Sequence, residues 1–195
     1  MGNIIITQGV ILMKNKEYVE ISKFLSYVLR HKPETIGLKL DNEGWVGIID
    51  LIYCANKGGR KLDQKIIYTI IESGDKKRFA ISSDGLRIRA IQGHSSQQVK
   101  IKYEEKTPPE YLYHGTATKF LESICDQGLN AKLRQYVHLS FDEITAFQVG
   151  LRYGKPIILK VKALNMYKQG FKFYQADNGV WLTKYVPPSL FTVMK

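Results

Sequence analysis

Apolar residues recur at three- and four-residue spacings over 17–31, where Ile21, Phe24, Leu25, Val28 and Leu29 form one helical stripe. Pro33 stops this helix, because proline donates no N–H and restricts the residue before it. Asn42-Glu43-Gly44 reads as a turn ahead of Trp45. Residues 48–54 predict a second helix ended by Gly58-Gly59. Residues 62–71 predict a third, with Asp63 as its cap and Gly74 beyond its end. The period then changes to two. RFAISSDGLRIRAI reads as two short strands around Ser83-Asp84-Gly85, a hairpin signal. Three helices followed by a hairpin predict a winged-helix lobe over residues 17–94, a fold that often binds nucleic acid without fixing function.

SSQQVKIKYEEKTPPE, residues 95–110, is polar, balanced in charge and ends in Pro108-Pro109, and it is read as a linker or edge segment. Residues 1–16 are an extension with no assigned role. Beyond the linker, YLYHGT reads as a strand, 119–127 as a helix closed by Gly128, and VHLS as a short strand. Residues 142–153 predict another helix, PIILKVKAL a strand, and FKFYQADNGVWLT two strands around Asp177-Asn178-Gly179. The expected fold class is α+β, with a strand-rich second lobe over 111–195.

Composition adds three limits. The hydrophobic content of 44% in 195 residues supplies an ordinary core, and no apolar run reaches membrane-span length. The N-terminus lacks the early basic region and small-residue cleavage site of a signal peptide. Cys54 and Cys125 suit neither a zinc framework nor a disulfide scaffold, so a reducing cytosol is the default. The net charge of +11 is spread: 15 Lys+Arg stand against 10 Asp+Glu in residues 1–94, and 11 against 5 in 111–195. That balance favours a polyanionic partner, nucleic acid first.

The chain has four histidines, His31, His94, His114 and His138. Any one of them alone is most simply a structural or surface residue. Their spacing makes no His-Glu-x-x-His and no Cys-x-x-Cys, which argues against a metal site. In His114-Gly115-Thr116 the glycine would let a ligand approach the backbone, with a hydroxyl beside it, although a plain turn is the simpler reading. His138 and Ser140 fall on one face of a strand. Alternation places Arg87 and Arg89 on one face and Ile88 on the other, with Arg78 opening the preceding strand. Such a face is either solvated or a phosphate clamp. Arg30-His31-Lys32 at the first helix end is either dipole complementation or an anion site.

Taken together, LSYVLRHKPETIGLKLDNEGW, RFAISSDGLRIRAIQGHS, LYHGTATKFLESICDQGL, RQYVHLSFDEITAFQVGLRYGKPIIL and NGVWLTKYVPP resemble the NAD-dependent RNA 2′-phosphotransferase family, in colinear order over about residues 17–190. The resemblance implies a winged-helix RNA lobe and an ADP-ribosyltransferase-like NAD lobe, with RNA carrying a 2′-phosphate and NAD⁺ as substrates and no metal. It implies two steps: the 2′-phosphate attacks the nicotinamide riboside and expels nicotinamide, and the ribose 2″-hydroxyl then releases 2′-OH RNA and ADP-ribose 1″,2″-cyclic phosphate. By the same resemblance Arg30, His31, Arg78 and Arg134 form the essential tetrad. His31 either holds the phosphate as a cation or moves a proton. Arg87 and Arg89 are further RNA- or NAD-contacting residues. His114, Gly115, Thr116, His138 and Ser140 match the nucleotide-contacting strands.

Val180 stands where many ADP-ribosyltransferases carry a catalytic Glu, which argues against a protein-modifying transferase. Tyr136 stands where relatives often have His. Two other readings compete: an ADP-ribosyltransferase of nucleic-acid terminal phosphates, and a winged-helix regulator that only senses NAD. Nothing in the sequence demands more than a monomer.

Overall fold

The computed structural model describes residues 2–73, 77–96 and 98–194, with the side chains of the first stretch described over 16–72. Gly74 and Gln97, which belong to the expected end of the third helix and to the 95–110 stretch, lie outside the described residues. The chain divides into two compact units, Met1–Ile101 and Lys102–Lys195. The division falls inside the 95–110 stretch, and that stretch is tied down on both sides of it. Lys100 N–H donates to Asn42 O at 2.7 Å in the first unit, and Lys106 N–H to Phe173 O at 2.9 Å in the second. Helices mixed with small antiparallel sheets make the fold α+β.

In the first unit α1 spans Gly2–Arg30, so the helix runs back through residues to which the pattern assigned nothing. Its C-terminal half buries Leu25, Val28 and Leu29 completely, the stripe expected from the spacing. The 3₁₀ turn Pro33–Ile36 follows, entered through Lys32 at φ −139° and ψ 60°, outside the helical region that a following proline disfavours. Strand β1 (Val46–Gly47) leads into α2 (Ile48–Lys57), and α3 covers Gln64–Ser73. Asp63 caps α3, its Oδ1 accepting from Ile66 N–H at 2.7 Å. Strands β2 (Phe79–Ile81) and β3 (Arg87–Ala90) form the hairpin, and Gly85 takes φ +73° in its turn. The two-residue β1 was not legible in the sequence. It pairs Val46 with Ile88 and makes a three-stranded sheet in the order β1-β3-β2. Leu51, Ile67 and Ile88 close the core against α1.

In the second unit β4 (Leu112–Ala117) pairs with β7 (Pro156–Val161), and β7 pairs with β11 (Phe191–Met194). A second sheet has the order β6-β9-β8, from Val137–Leu139, Trp181–Thr183 and Phe173–Gln175. A third is the short pair β5 (Leu129–Asn130) and β10 (Tyr185–Val186). Helices α4 (Leu121–Gln127) and α5 (Glu143–Gly150) appear where expected, α5 ending sooner than 153. Asp142 caps α5 by accepting from Thr145 N–H at 2.7 Å. Helix α6 (Ala163–Lys168) is a correction, because its first residues were read as the end of a strand. Six residues carry too little periodicity to announce a helix. Leu112, Leu159, Val161, Met166 and Phe173 are fully buried in one core.

Candidate functional site

The end of α1 separates its three cations. Lys32 is exposed and its Nζ lies 3.4 Å from Glu34, a surface pair of small energetic value. Arg30 and His31 are half-buried, turned toward the fold. The last carbonyls of a helix lack partners within it. That of Arg30 is satisfied from outside, by Ser95 N–H at 3.0 Å. The Ser95 hydroxyl lies 3.1 Å from His31 Nδ1. Gly93, at φ +90°, lies beneath the Arg30 side chain: a Cβ there would be 3.6 Å from Arg30 Cδ and 3.7 Å from its Nη1.

His94 stands between Gly93 and Ser95 in the chain and is only 4% exposed. Its Nε2 faces the Gly44 turn, where a Cβ would stand 3.1 Å away, and Gly44 takes φ +81°. That nitrogen has no hydrogen-bond partner among the described residues. Burial, followed by the charges of Arg30, His31 and Arg89, pushes the His94 imidazole down to about 4. His94 is therefore neutral at pH 7 and adds no further positive charge to the cluster. The unfolded chain takes up a proton at the ordinary imidazole value and the folded chain does so only near 4, so stability rises with pH between them. Unfolding in urea should show a loss of about 3 kcal/mol as pH falls from about 6.5 to 4. His94→Gln should flatten that limb.

The β2–β3 sheet carries the other arginines. Ile88 and Ala90 are buried, while Arg87 and Arg89 lie on the opposite face, as the alternation predicts. Arg89 is half-buried, its guanidinium 4.5 Å from the centre of the Trp45 ring, and its Nε has no partner among the described residues. Arg87 is exposed, 5.6 Å from the same ring centre, with its Nη1 3.9 Å from Asp41. Arg78 extends the ladder, its carbonyl accepting from Ile91 N–H at 3.0 Å. Ala80 pairs with Arg89, so alternation puts Arg78 on the Arg89 face. The structure thus gathers Arg30, His31 and Arg89 around His94, with Arg78 on the adjoining sheet face. His94 and Ser95 were not singled out as site residues from the sequence. The only signal for them was their place in IQGHSS, directly after the arginine strand.

In the second unit, a pair of backbone hydrogen bonds joins β4 to the residue after β6. Tyr113 N–H donates to Ser140 O at 2.9 Å, and Ser140 N–H to Tyr113 O at 2.7 Å. This brings His114 beside His138. His114 Nδ1 lies 3.0 Å from the His138 carbonyl oxygen. A carbonyl only accepts, so Nδ1 carries the proton. Burial lowers the His114 pKa, so the ring is neutral at pH 7 and its Nε2 is a hydrogen-bond acceptor. Arg134 is exposed and makes a long 3.5 Å contact from Nη1 to His138 Nδ1, which must accept from the guanidinium. Thr116 lies two residues along β4 from His114, on its face, and is buried.

Gly115 requires a correction of its reason. A Cβ there would lie 1.6 Å from Ala146 O and 2.5 Å from Ala146 C, so the space is filled by the backbone of α5. The glycine lets that helix seat on β4, and on this side no ligand could use the gap. Val180 closes the β8–β9 turn, its carbonyl accepting from Ala176 N–H at 2.9 Å. Tyr136 packs edge-on between Tyr103 and Tyr174, with ring centres 5.9 and 5.6 Å away, and Lys184 Nζ lies 4.0 Å from the centre of the Tyr136 ring. Cys54 and Cys125 are both free thiols. No helix among the described residues is long and apolar enough to cross a membrane.

Known proteins share this arrangement of sequence. The profile of the family described as RNA 2′-phosphotransferase, Tpt1 / KptA family, matches residues 16–185. A probable RNA 2′-phosphotransferase of Pectobacterium atrosepticum is 66% identical over 173 residues, covering 89% of this chain and 96% of that protein. One of Pectobacterium carotovorum is 62% identical over 175 residues, covering 90% and 94%. One of Escherichia coli O45:K1 is 59% identical over 171 residues, covering 88% of each chain. With a family profile spanning most of its length and relatives this similar across nearly all of theirs, the chain belongs to the RNA 2′-phosphotransferase, Tpt1 / KptA family.

Proposed function

We propose that this protein removes an internal 2′-phosphate from RNA by transferring it to NAD⁺, giving 2′-OH RNA, ADP-ribose 1″,2″-cyclic phosphate and nicotinamide. Family membership supports the phosphotransfer. The observation that carries the phosphate site is the end of α1. There Arg30 and His31 are half-buried and held by Ser95, while the adjacent Lys32 is left to solvent. Cations needed only for the helix dipole would not require that difference.

On this reading the first unit is the winged-helix RNA lobe, supported by its three helices and the β2–β3 hairpin. Arg30, His31 and Arg78 hold the 2′-phosphate, and Arg87 and Arg89 extend the basic face toward RNA. A phosphate is already an anion, so these residues chiefly position it and spread the charge that builds on its oxygens. Forked guanidinium donors suit that task.

The second unit is the ADP-ribosyltransferase-like NAD lobe. NAD⁺, when bound, supplies an electrophilic ribosyl carbon with nicotinamide as its leaving group, and no metal is needed. The residues present fit such a molecule: His114 Nε2 would accept from a ribose hydroxyl, and Arg134 would offer a cation to a phosphate or to developing negative charge. His138 and Ser140 lie at the joined strand ends, Thr116 lies buried two residues along β4 from His114, and Gly115 sets the position of β4 against α5. The reading needs one copy of the chain, and the two free thiols suit a reducing cytosol.

The test is a short RNA with one internal 2′-phosphate, incubated with the protein with and without NAD⁺. The expected result is loss of the phosphate only with NAD⁺, with a cyclic phosphate product. Binding of RNA or NAD⁺ without phosphate loss would overturn the reading. Accumulation of ADP-ribosylated RNA would replace it with a transferase that stops after one step.

A further inference from the structure

The segment Gly93-His94-Ser95 does more than follow β3. Its two ends touch the two residues assigned to the phosphate: Gly93 lies under the Arg30 side chain, and Ser95 bonds both the Arg30 carbonyl at 3.0 Å and His31 Nδ1 at 3.1 Å. Its middle is anchored, because the His94 ring is buried against the Gly44 turn. A surface loop would be free to drift, whereas this strap is fixed at three consecutive residues.

We propose that Ser95 is a positioning residue for His31: its hydroxyl holds Nδ1, so that Nε2 is the nitrogen turned to the RNA phosphate. The proposal rests on the 2′-phosphotransferase reading of the site. The choice of serine has a chemical reason. A hydroxyl both donates and accepts. It accepts from Nδ1–H while Nε2 gains or loses its proton, and it donates to Nδ1 if the neutral ring carries its proton on Nε2. The ring keeps its orientation in each state. A carboxylate in the same place would favour the imidazolium alone. The backbone bond from Ser95 N–H to the Arg30 carbonyl fixes where that hydroxyl stands, and it survives substitution of the side chain.

Three variants test this on the whole protein: Ser95→Ala, Ser95→Thr, and Ser95→Ala combined with His31→Ala. Single-turnover phosphate removal, with NAD⁺ and RNA saturating, should be about tenfold slower in Ser95→Ala, the size of one lost hydrogen bond to a reacting group. Ser95→Thr keeps the hydroxyl and should come within about twofold of wild type. The double variant should be no slower than His31→Ala, because Ser95 acts through that ring. A readout independent of turnover is the ¹⁵N spectrum of His31, where Ser95→Ala should alter the Nδ1 shift and Ser95→Thr should restore it. Wild-type rate and an unchanged Nδ1 shift in Ser95→Ala would overturn the proposal, as would a Ser95→Ala deficit that adds in full to that of His31→Ala. Full activity of His31→Ala would instead remove the phosphate-site reading, and this proposal with it.

Discussion

His31→Ala should slow NAD⁺-dependent 2′-phosphate removal by roughly 10²–10³-fold, while Lys32→Ala should stay within about fivefold of wild type. The two residues are neighbours and both are cation-capable, so a field effect from the helix end would make their substitutions alike. The structure distinguishes them. Lys32 projects into solvent and pairs with Glu34 at 3.4 Å, and it can be removed at the cost of a surface ion pair. His31 is turned inward beside Arg30, with its Nδ1 against the Ser95 hydroxyl. Removing it deletes a donor aimed at a charged reacting group, a loss worth two to three decades in rate. Rates measured on the same 2′-phosphorylated RNA, with thermal melts as a folding control, decide the matter. Equal and small effects from both variants would return the whole cluster to helix-dipole duty.

Gly115→Ala should destabilise the protein by about 3 kcal/mol, read as a Tm lower by about 10 °C and as a loss of NAD⁺-dependent activity. The new Cβ would be placed 1.6 Å from Ala146 O and 3.0 Å from Gly150 N, all backbone that no rotamer change can move aside. Helix α5 would have to lift from β4, the strand that carries His114 and Thr116. The fit is reciprocal, since a Cβ on Gly150 would lie 2.7 Å from Thr116 O. Gly170→Ala is the control. Nothing lies within 4 Å of its Cβ position, and its φ of +93° imposes only a backbone cost of about 1 kcal/mol. A Gly115→Ala protein as stable as wild type would show that α5 does not pack on β4 in this way.

Most of the elements were legible because their signals are local. The α1 stripe, the Asp63 cap, the Ser83-Asp84-Gly85 turn and the alternation of Arg87, Ile88 and Arg89 each depend on residues within a few positions of one another. The same is true of the helix stop at Pro33. The elements that escaped, β1, β5, β10, β11 and α6, are too short to show a period and exist because a distant segment pairs with them or packs on them. The site divides along the same line. That cations gather at 30–32 and that arginines share a strand face can be read from the chain. Which of them turn inward cannot.

By itself, then, the sequence determined the α+β class, the helix stop at Pro33, the hairpin and, through its colinear motifs, the family. The tertiary structure alone decided that Lys32 faces solvent while Arg30 and His31 do not, that Gly115 serves α5 and no ligand on that side, and that His94 sits neutral and buried among Arg30, His31 and Arg89. The reason is physical. Backbone preference and hydrophobic period act between near neighbours. The orientation of a side chain, and the charge it can carry, are set by what distant residues bring against it. Ser95, more than sixty residues from His31, is the clearest case.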